Sequence, residues 1–372
     1  MKDHWYTIEN EAQIDSPSLL IYKDRVRQNI AQMIGMVGNA DRLVTHVKTN
    51  KMPEVVKMLL EAGISRFKCA TLAEAEMVAI VGGKYIVIAH QLVGPKVQRL
   101  IELRKKYPDV FIASLVDCEA MANFHDEIFA QHNKVADVFV DVNNGMNRSG
   151  HPFDHTLLAF YQFLQTLPHI KCHGLHVYDG HVRDADFEVR KHKIEAGFEQ
   201  VQHLVKDMEK NGLAKPMIIA GGTPSFTTHL LSEDLYCSPG TCVLWDWGYG
   251  NTLSEQRFVY AALLLTRVIS KPSEGLVSID LGHKAVAAEN PIDKRVQFLN
   301  ISDYELLSQS EEHGVLRVRE TDWKDMKVGD VLYGVPYHVC PTVNLYDEAQ
   351  VVENGKITEV WQVLARRRKI TV

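Results

Sequence analysis

Lys48 stands where a short apolar stretch (Leu43, Val44, Val47) gives way to Thr-Asn-Lys-Met52 and a helix opening at Pro53. A lysine at the carboxyl end of a strand, before a strand-to-helix loop, sits where α/β barrels do their chemistry. Pro53 suits the first turn of a helix, where its missing N–H would go unpaired anyway, and Gly63 is the matching stop. One such lysine is ordinary. What distinguishes this one is the series of reactive and ligand-holding residues at the ends of later strands.

The strand Ala136–Asn143 runs into Asn144-Gly-Met-Asn-Arg148-Ser-Gly150, where two glycines permit a tight turn and the Arg148 guanidinium is aimed across the mouth. A later strand ends in His173-Gly-Leu-His-Val-Tyr178-Asp-Gly180-His181, which puts the rings of Tyr178 and His181 at its tip. The next ends Ala220-Gly221-Gly222-Thr223-Pro224-Ser225 before a short helix, and the last ends Ser238-Pro239-Gly240-Thr241. Gly221, Gly222, Thr223, Gly240 and Thr241 offer unhindered backbone N–H groups and hydroxyls. The first loop lies at a helix N-terminus, an anion site by its unpaired donors and dipole. In an eight-stranded barrel these are the two loops that hold phosphate.

A second cluster lies far downstream, in Pro336-Tyr-His338-Val-Cys340-Pro-Thr-Val-Asn344. In an extended segment residues i and i+2 face one side, so His338 and Cys340 converge. Imidazole plus thiolate suits zinc or another borderline divalent ion, with the other coordination positions open.

The elements that must position these groups alternate with regularity. Strands are predicted at 42–48, 66–71, 85–90, 110–116, 136–143, 171–178, 217–222 and 235–243. Helical patterns fall at 53–62, 71–81, 95–106, 118–131, 154–166, 184–211 and 225–232. Eight strands with intervening helices is the pattern of a (β/α)8 TIM-type barrel, and the closing count sets it ahead of an open doubly wound sheet. Before it, Ser18–Tyr22 reads as a short strand and Asp24 as the cap of a helix through Asn39. After Gly250, short strands are predicted at 258–270, 276–280, 295–301, 314–319, 331–334 and 350–352, separated by turn signals. The organisation expected is a barrel over 18–250 and a smaller all-β domain over 251–372, with residues 1–17 available to join the latter.

Composition narrows the function classes. The chain has 372 residues, 46% hydrophobic and 24% charged, as in ordinary globular proteins. A net charge of −6 provides no basic field, so no nucleic-acid partner is expected. No apolar run reaches membrane-spanning length, and Met-Lys-Asp-His-Trp-Tyr lacks a signal peptide's apolar core, so the cytoplasm is the expected compartment. Six scattered cysteines read as reduced thiols.

Several of these motifs resemble one family. His46-Val-Lys48-Thr is similar to the cofactor-lysine segment of the D-threonine aldolase and D-serine dehydratase family, pyridoxal-phosphate enzymes on the alanine racemase barrel. Gly-Met-Asn-Arg148-Ser-Gly is similar to the alanine racemase segment whose arginine holds the cofactor's phenolic oxygen. Tyr178-x-Gly-His, Glu-Glu-His313-Gly and Pro-x-His338-x-Cys340-x-Thr-Val-Asn match the family too, so the resemblance spans essentially the whole chain.

It implies that Lys48 carries pyridoxal 5'-phosphate as a Schiff base, with His46, Arg148 and Tyr178 around it and phosphate on the Gly221–Thr223 and Gly240–Thr241 loops. It implies a divalent metal, zinc or manganese, on His338 and Cys340, beside the β-hydroxyl of a D-3-hydroxy-amino acid. Lys48, Tyr178, His338 and Cys340 are then the catalytic set, and a homodimer is the expected assembly. One departure stands out: where the racemase relatives carry an arginine facing the pyridine nitrogen, this chain has Ser238.

Retro-aldol cleavage of D-threonine-like substrates is the leading expectation, and dehydration of D-serine the second. An amino-acid racemase would need a second base, for which Tyr249, Tyr304, Tyr337 and Tyr346 are available. A non-catalytic pyridoxal-phosphate-binding protein is disfavoured by residues 251–372, which single-domain relatives of that kind lack.

Overall fold

The computed structural model describes residues 4–372. Contacts group these residues into two units, one built from Met33–Lys48, Val56–Gly240 and Arg367–Val372, the other from the described residues up to Gln32 together with Thr49–Val55 and Thr241–Arg366.

In the first unit eight parallel strands follow one another around a barrel: Val44–His46, Arg66–Cys69, Tyr85–Gln91, Phe111–Val116, Ala136–Asn143, Ile170–Val177, Met217–Ala220 and Leu235–Cys237. The last is tied to the first by a parallel bridge between Leu43 and Cys237, which nearly closes the barrel. All eight lie where apolar runs bounded by turn signals place them, because strands covered on both faces read as continuous hydrophobic stretches. Val44, Val87, Ala113, Leu115, Phe139 and Ile219 fill one interior cluster. That packed floor lies beneath the strands' carboxyl ends, where Lys48 and Tyr178 stand.

In the second unit an antiparallel and mixed sheet runs, in spatial order, through Glu305–Gln309, Gly314–Arg317, Leu276–Ile279, Ala262–Ser273, Ser18–Tyr22, Glu348–Glu353 and Lys356–Gln362. Val331–Pro336 pairs with both Ala262–Ser273 and Val296–Phe298. Ser18–Tyr22 lies in this sheet rather than with the barrel strands that follow it. It is antiparallel to Ala262–Leu265 and parallel to Gln350–Val352, and four of its five residues are buried. Tyr6 and Ile8 join the same core, so part of the 1–17 segment packs here. Met1–Asp3 lie outside the described residues.

Three local expectations differ from what is found. The first long helix starts at Lys23, so Asp24 lies inside its first turn, where its charge meets the helix's positive end. Glu305–Gln309 and Lys356–Gln362 are additional strands. Both end the sheet path, and in Lys356–Gln362 only Trp361 is buried, so the apolar alternation that reveals a strand is absent. Finally, His338 and Cys340 do not share an extended strand: the strand ends at Pro336, and Val339–Val343 is a short helix.

Among the described residues no helix is long and apolar enough to cross a membrane, and none of the six cysteines forms a disulfide.

Candidate active site

At the carboxyl end of the barrel, a cavity of about 430 Å³ is lined by residues that include His46, Lys48, Lys68, Arg148, His176 and Tyr178. Lys48 is in a single 3-10 turn, Val47–Thr49, directly after the first barrel strand. That strand's end is fastened by the His46 N–H, which donates to the Pro239 carbonyl at 2.9 Å. His46 is buried, and its Nδ1 donates to the Lys68 carbonyl at 2.9 Å. Burial, with the Lys48 and Lys68 charges nearby, holds His46 well below its ordinary value, so it is neutral.

Three cations surround one ring. Lys48 Nζ lies 6.0 Å from the Tyr178 ring centroid, Lys68 Nζ 5.5 Å and Arg148 Cζ 5.1 Å. The ring is held by close backbone approach. A Cβ on Gly222 would come within 3.0 Å of Tyr178 Cε2, and one on Gly180 within 2.1 Å of its hydroxyl. His181, which shares the motif, turns away: it is exposed, and its ring lies against Gly145.

Two carboxylates beside the cations are already committed. Asp141 accepts from His176 Nδ1 at 2.8 Å, Gln91 Nε2 at 2.7 Å and Ser149 Oγ at 2.9 Å. Burial alone would raise Asp141, but these hydrogen bonds hold it below its ordinary value. His176 is depressed by burial in spite of Asp141, so it too is neutral. Its buried Nε2 has no hydrogen-bond partner among the described residues. Asp179 accepts from Ser225 Oγ at 2.5 Å and His229 Nε2 at 2.6 Å. These partners outweigh the effect of its burial and keep it below its ordinary value.

Lys68 was hidden in the sequence between Phe67 and Cys69, although the strand-end position that singles out Lys48 applies to it equally. It is 2% exposed, and its ammonium donates to Ser238 Oγ and to the Gly221 carbonyl at 3.3 Å. Burial first, then the Lys48 charge, pull it down from 10.5 to about 7, with Asp179 and Asp141 opposing.

The two glycine loops come together, since Gly240 N–H donates to Thr223 Oγ1 at 3.2 Å. Their amides are less open than the sequence suggests. Gly221 N–H is bonded to the Val177 carbonyl at 2.8 Å and Gly222 N–H to Ser225 Oγ at 3.1 Å. Gly221 has a left-handed φ of 62°, and a Cβ there would lie 2.2 Å from Ser225 Oγ. Thr241 belongs to the second unit, where its hydroxyl is 3.5 Å from Cys340 Sγ.

In that unit His338 and Cys340 are within hydrogen-bonding reach of each other. They meet because His338 is the extended N-cap of the Val339–Val343 helix and Cys340 lies in its first turn. Thr49 Oγ1 is 3.2 Å from the Cys340 sulfur. Glu289 accepts from His338 Nδ1 at 2.6 Å, which orients the ring. Burial disfavours the charged imidazole, but Cys340, Asp246 and Glu289 outweigh it and push His338 up to about 9. Burial also raises Asp246 to about 6. Among the described residues no group of three or more His, Cys, Asp or Glu side chains is set to hold a metal. The donor chemistry of the pair, with a carboxylate orienting its histidine, nevertheless fits a borderline cation with open positions.

Two family models match the chain: "Alanine racemase, N-terminal domain" over residues 21–244, and "Putative serine dehydratase domain" over residues 261–352. A 3-hydroxy-D-aspartate aldolase of Paracoccus denitrificans (strain Pd 1222) is 28% identical, covering 96% of this chain and 93% of its own. A D-threonine aldolase of Arthrobacter sp. is also 28% identical, covering 95% and 93%. The crystal structure of D-threonine aldolase from Filomicrobium marinum has the same fold, with a TM-score of 0.88 at 24% identity over 97% of both chains.

The depressed Lys68 makes a prediction for the ligand-free protein. Between about 7 and 10.5 the unfolded chain holds a proton on Lys68 that the folded chain lacks, so stability rises with pH across that window. The penalty is fully present below 7. Lys68→Met should therefore be stabilising relative to the parent near neutral pH. The gain should shrink by up to about 1.4 kcal/mol per pH unit on going more basic. Urea unfolding at several pH values measures this, and a pH-independent difference would contradict the assignment.

Proposed function

The chain belongs to the alanine racemase N-terminal domain family, among its D-threonine aldolase and D-serine dehydratase lyases, and from that premise we propose that it cleaves D-3-hydroxy-amino acids of the D-threonine type to glycine and an aldehyde. Family membership implies a pyridoxal-phosphate enzyme. The observation that carries the proposal is the cavity in which Lys48, Lys68 and Arg148 surround the Tyr178 ring while both nearby carboxylates are held by histidines. Such a site suits a flat, anionic, carbonyl-bearing ligand.

When bound, pyridoxal phosphate supplies a carbonyl carbon for the substrate's amine and a conjugated ring that takes up electron density from Cα. Lys48 would hold it through Nζ, Arg148 at the phenolic oxygen, Tyr178 at a ring face, and the Gly221–Thr223 and Gly240–Thr241 loops at the phosphate. A zinc or manganese ion on His338 and Cys340 would lower the proton affinity of the substrate's β-oxygen.

The remaining work falls to protein groups. Neutral His176, with Nδ1–H fixed on Asp141, presents an unprotonated Nε2, and His46 keeps its own proton on the Lys68 carbonyl. Neither adds positive charge to the site. Lys48 is left to handle the proton at Cα: in cleavage the β-hydroxyl gives its proton to solvent as the aldehyde C=O forms and Cα–Cβ breaks, and Lys48 delivers a proton to Cα as glycine forms. The second reading, dehydration of D-serine to pyruvate and ammonia, is favoured by the match of residues 261–352, which contain His338 and Cys340. Lys48 would then remove the Cα proton as the β-oxygen leaves. The cytoplasm and a homodimer are part of the same proposal.

Borohydride treatment of the loaded protein should fix the cofactor on Lys48. D-Threonine should give glycine and acetaldehyde, with keto acid from D-serine the sign of the second reading. Lys48→Ala should lose about a thousandfold or more in turnover. An adduct fixed at another lysine, or no product from either substrate, refutes the assignment. Chelation, or Cys340→Ala, should abolish turnover while the visible absorption of the bound cofactor survives. Full turnover by demonstrably metal-free protein would remove the metal from the reaction. Sedimentation of the active protein should show a dimer; an active monomer would contradict it.

A further inference from the structure

Lys68 is a buried amine, an ammonium below about 7 in the ligand-free protein, that the reaction outlined above does not use. It is 2% exposed, lines the same cavity as Lys48, and makes no ion pair among the described residues. An ammonium has three donors and no acceptor. Two are accounted for, by Ser238 Oγ and by the Gly221 carbonyl at 3.3 Å. The third has no partner among the described residues. Burying a cation with an unspent donor is costly unless something accepts from it.

The neighbour that could compete for that role is spent. Ser238 Oγ accepts from Lys68 and donates its own proton to the Gly221 carbonyl at 2.7 Å, so it has none left to give. Asp141 and Asp179 form no ion pair with Lys68 and accept instead from His176, Gln91 and Ser149, and from His229 and Ser225. The third donor of the ammonium is therefore open to a ligand entering the cavity that Lys68 lines.

Pyridoxal phosphate has four polar features. In the reading above its carbonyl, phenolic oxygen and phosphate fall to Lys48, Arg148 and the two loops through Thr223 and Thr241, which leaves the ring nitrogen. We propose that Lys68, positioned by Ser238 and the Gly221 carbonyl, donates a hydrogen bond to the ring nitrogen of the bound cofactor. This rests on the cofactor reading above and goes beyond it. An ammonium can only donate, so the ring nitrogen is kept unprotonated. The ring is then a weaker electron sink than a pyridinium, which favours a short-lived build-up of charge on Cα over free proton exchange there.

The test uses holoenzyme loaded with cofactor labelled with ¹⁵N in the ring. The wild type should show an unprotonated, hydrogen-bonded nitrogen. Lys68→Met should move the resonance away from that position and weaken cofactor binding about ten- to a hundredfold, and Lys68→Arg should restore both. A pyridinium N–H signal in the wild type would overturn the proposal, and needs no variant to fold. So would an unchanged resonance in Lys68→Met with cofactor still bound. If borohydride fixes no cofactor on wild-type Lys48, the cofactor reading itself has failed and the role of Lys68 falls with it. Labelled cofactor on Lys48 with the wrong nitrogen signal refutes Lys68 alone.

Discussion

Like charges gathered at one cavity, Lys68 buried, Lys48 half-buried and Arg148 exposed, are the constraint around which the barrel's open end is arranged. Lys48, Lys68 and Arg148 crowd one tyrosine ring, and ion pairs with Asp141 and Asp179 would have been the simplest relief. Instead both carboxylates hydrogen-bond histidines and hydroxyls. The positive field at the cavity is therefore only partly offset, and burial, aided by that field, keeps His46 and His176 neutral. Perturbed groups gathered in this way are common where a site is built for chemistry.

Much of this was legible in the sequence and some was not, for identifiable reasons. The eight barrel strands are apolar runs punctuated by Gly and Pro, and the residues at their tips, Lys48, Arg148 and Tyr178, are gathered around one cavity. Pairings between strands are another matter. Asp141 and His176 are register partners on neighbouring parallel strands, and no periodicity within either strand reveals which residues will stand side by side. Asp179 and His229 are joined only by tertiary folding. Lys68 was masked by its apolar neighbours, which make it read as an ordinary strand position. His338 and Cys340 do meet, but through an N-cap and a first helical turn, a geometry that the residues after Pro336 do not announce.

The glycine loops show how a correct location can hide a different physical role. Gly221 and Gly222 were singled out for exposed amides, yet those amides are satisfied within the protein. What the structure demands of these positions is the absence of a side chain: a left-handed turn at Gly221 beside Ser225 and His229, and contact of Gly222 with the Tyr178 ring. The loop is thereby clamped through Ser225 to Asp179. Its shape is set before any ligand arrives, which reduces the ordering cost of binding.

The strand Ser18–Tyr22 carries a consequence for how the chain acquires its structure. Its sheet partners lie beyond residue 261 on one side and beyond residue 348 on the other. During synthesis this strand must wait for residues 262–265 before one edge can be paired, and for residues 350–352 before the other. The barrel strands, by contrast, pair with near neighbours as they appear. Contacts of such long sequence separation form slowly, and an apolar strand with two bare edges is open to wrong partners in the interval. The sheet whose Val331–Pro336 strand leads into His338 and Cys340 is thus completed late, and its opening strand is a stretch that gains from shelter while it waits.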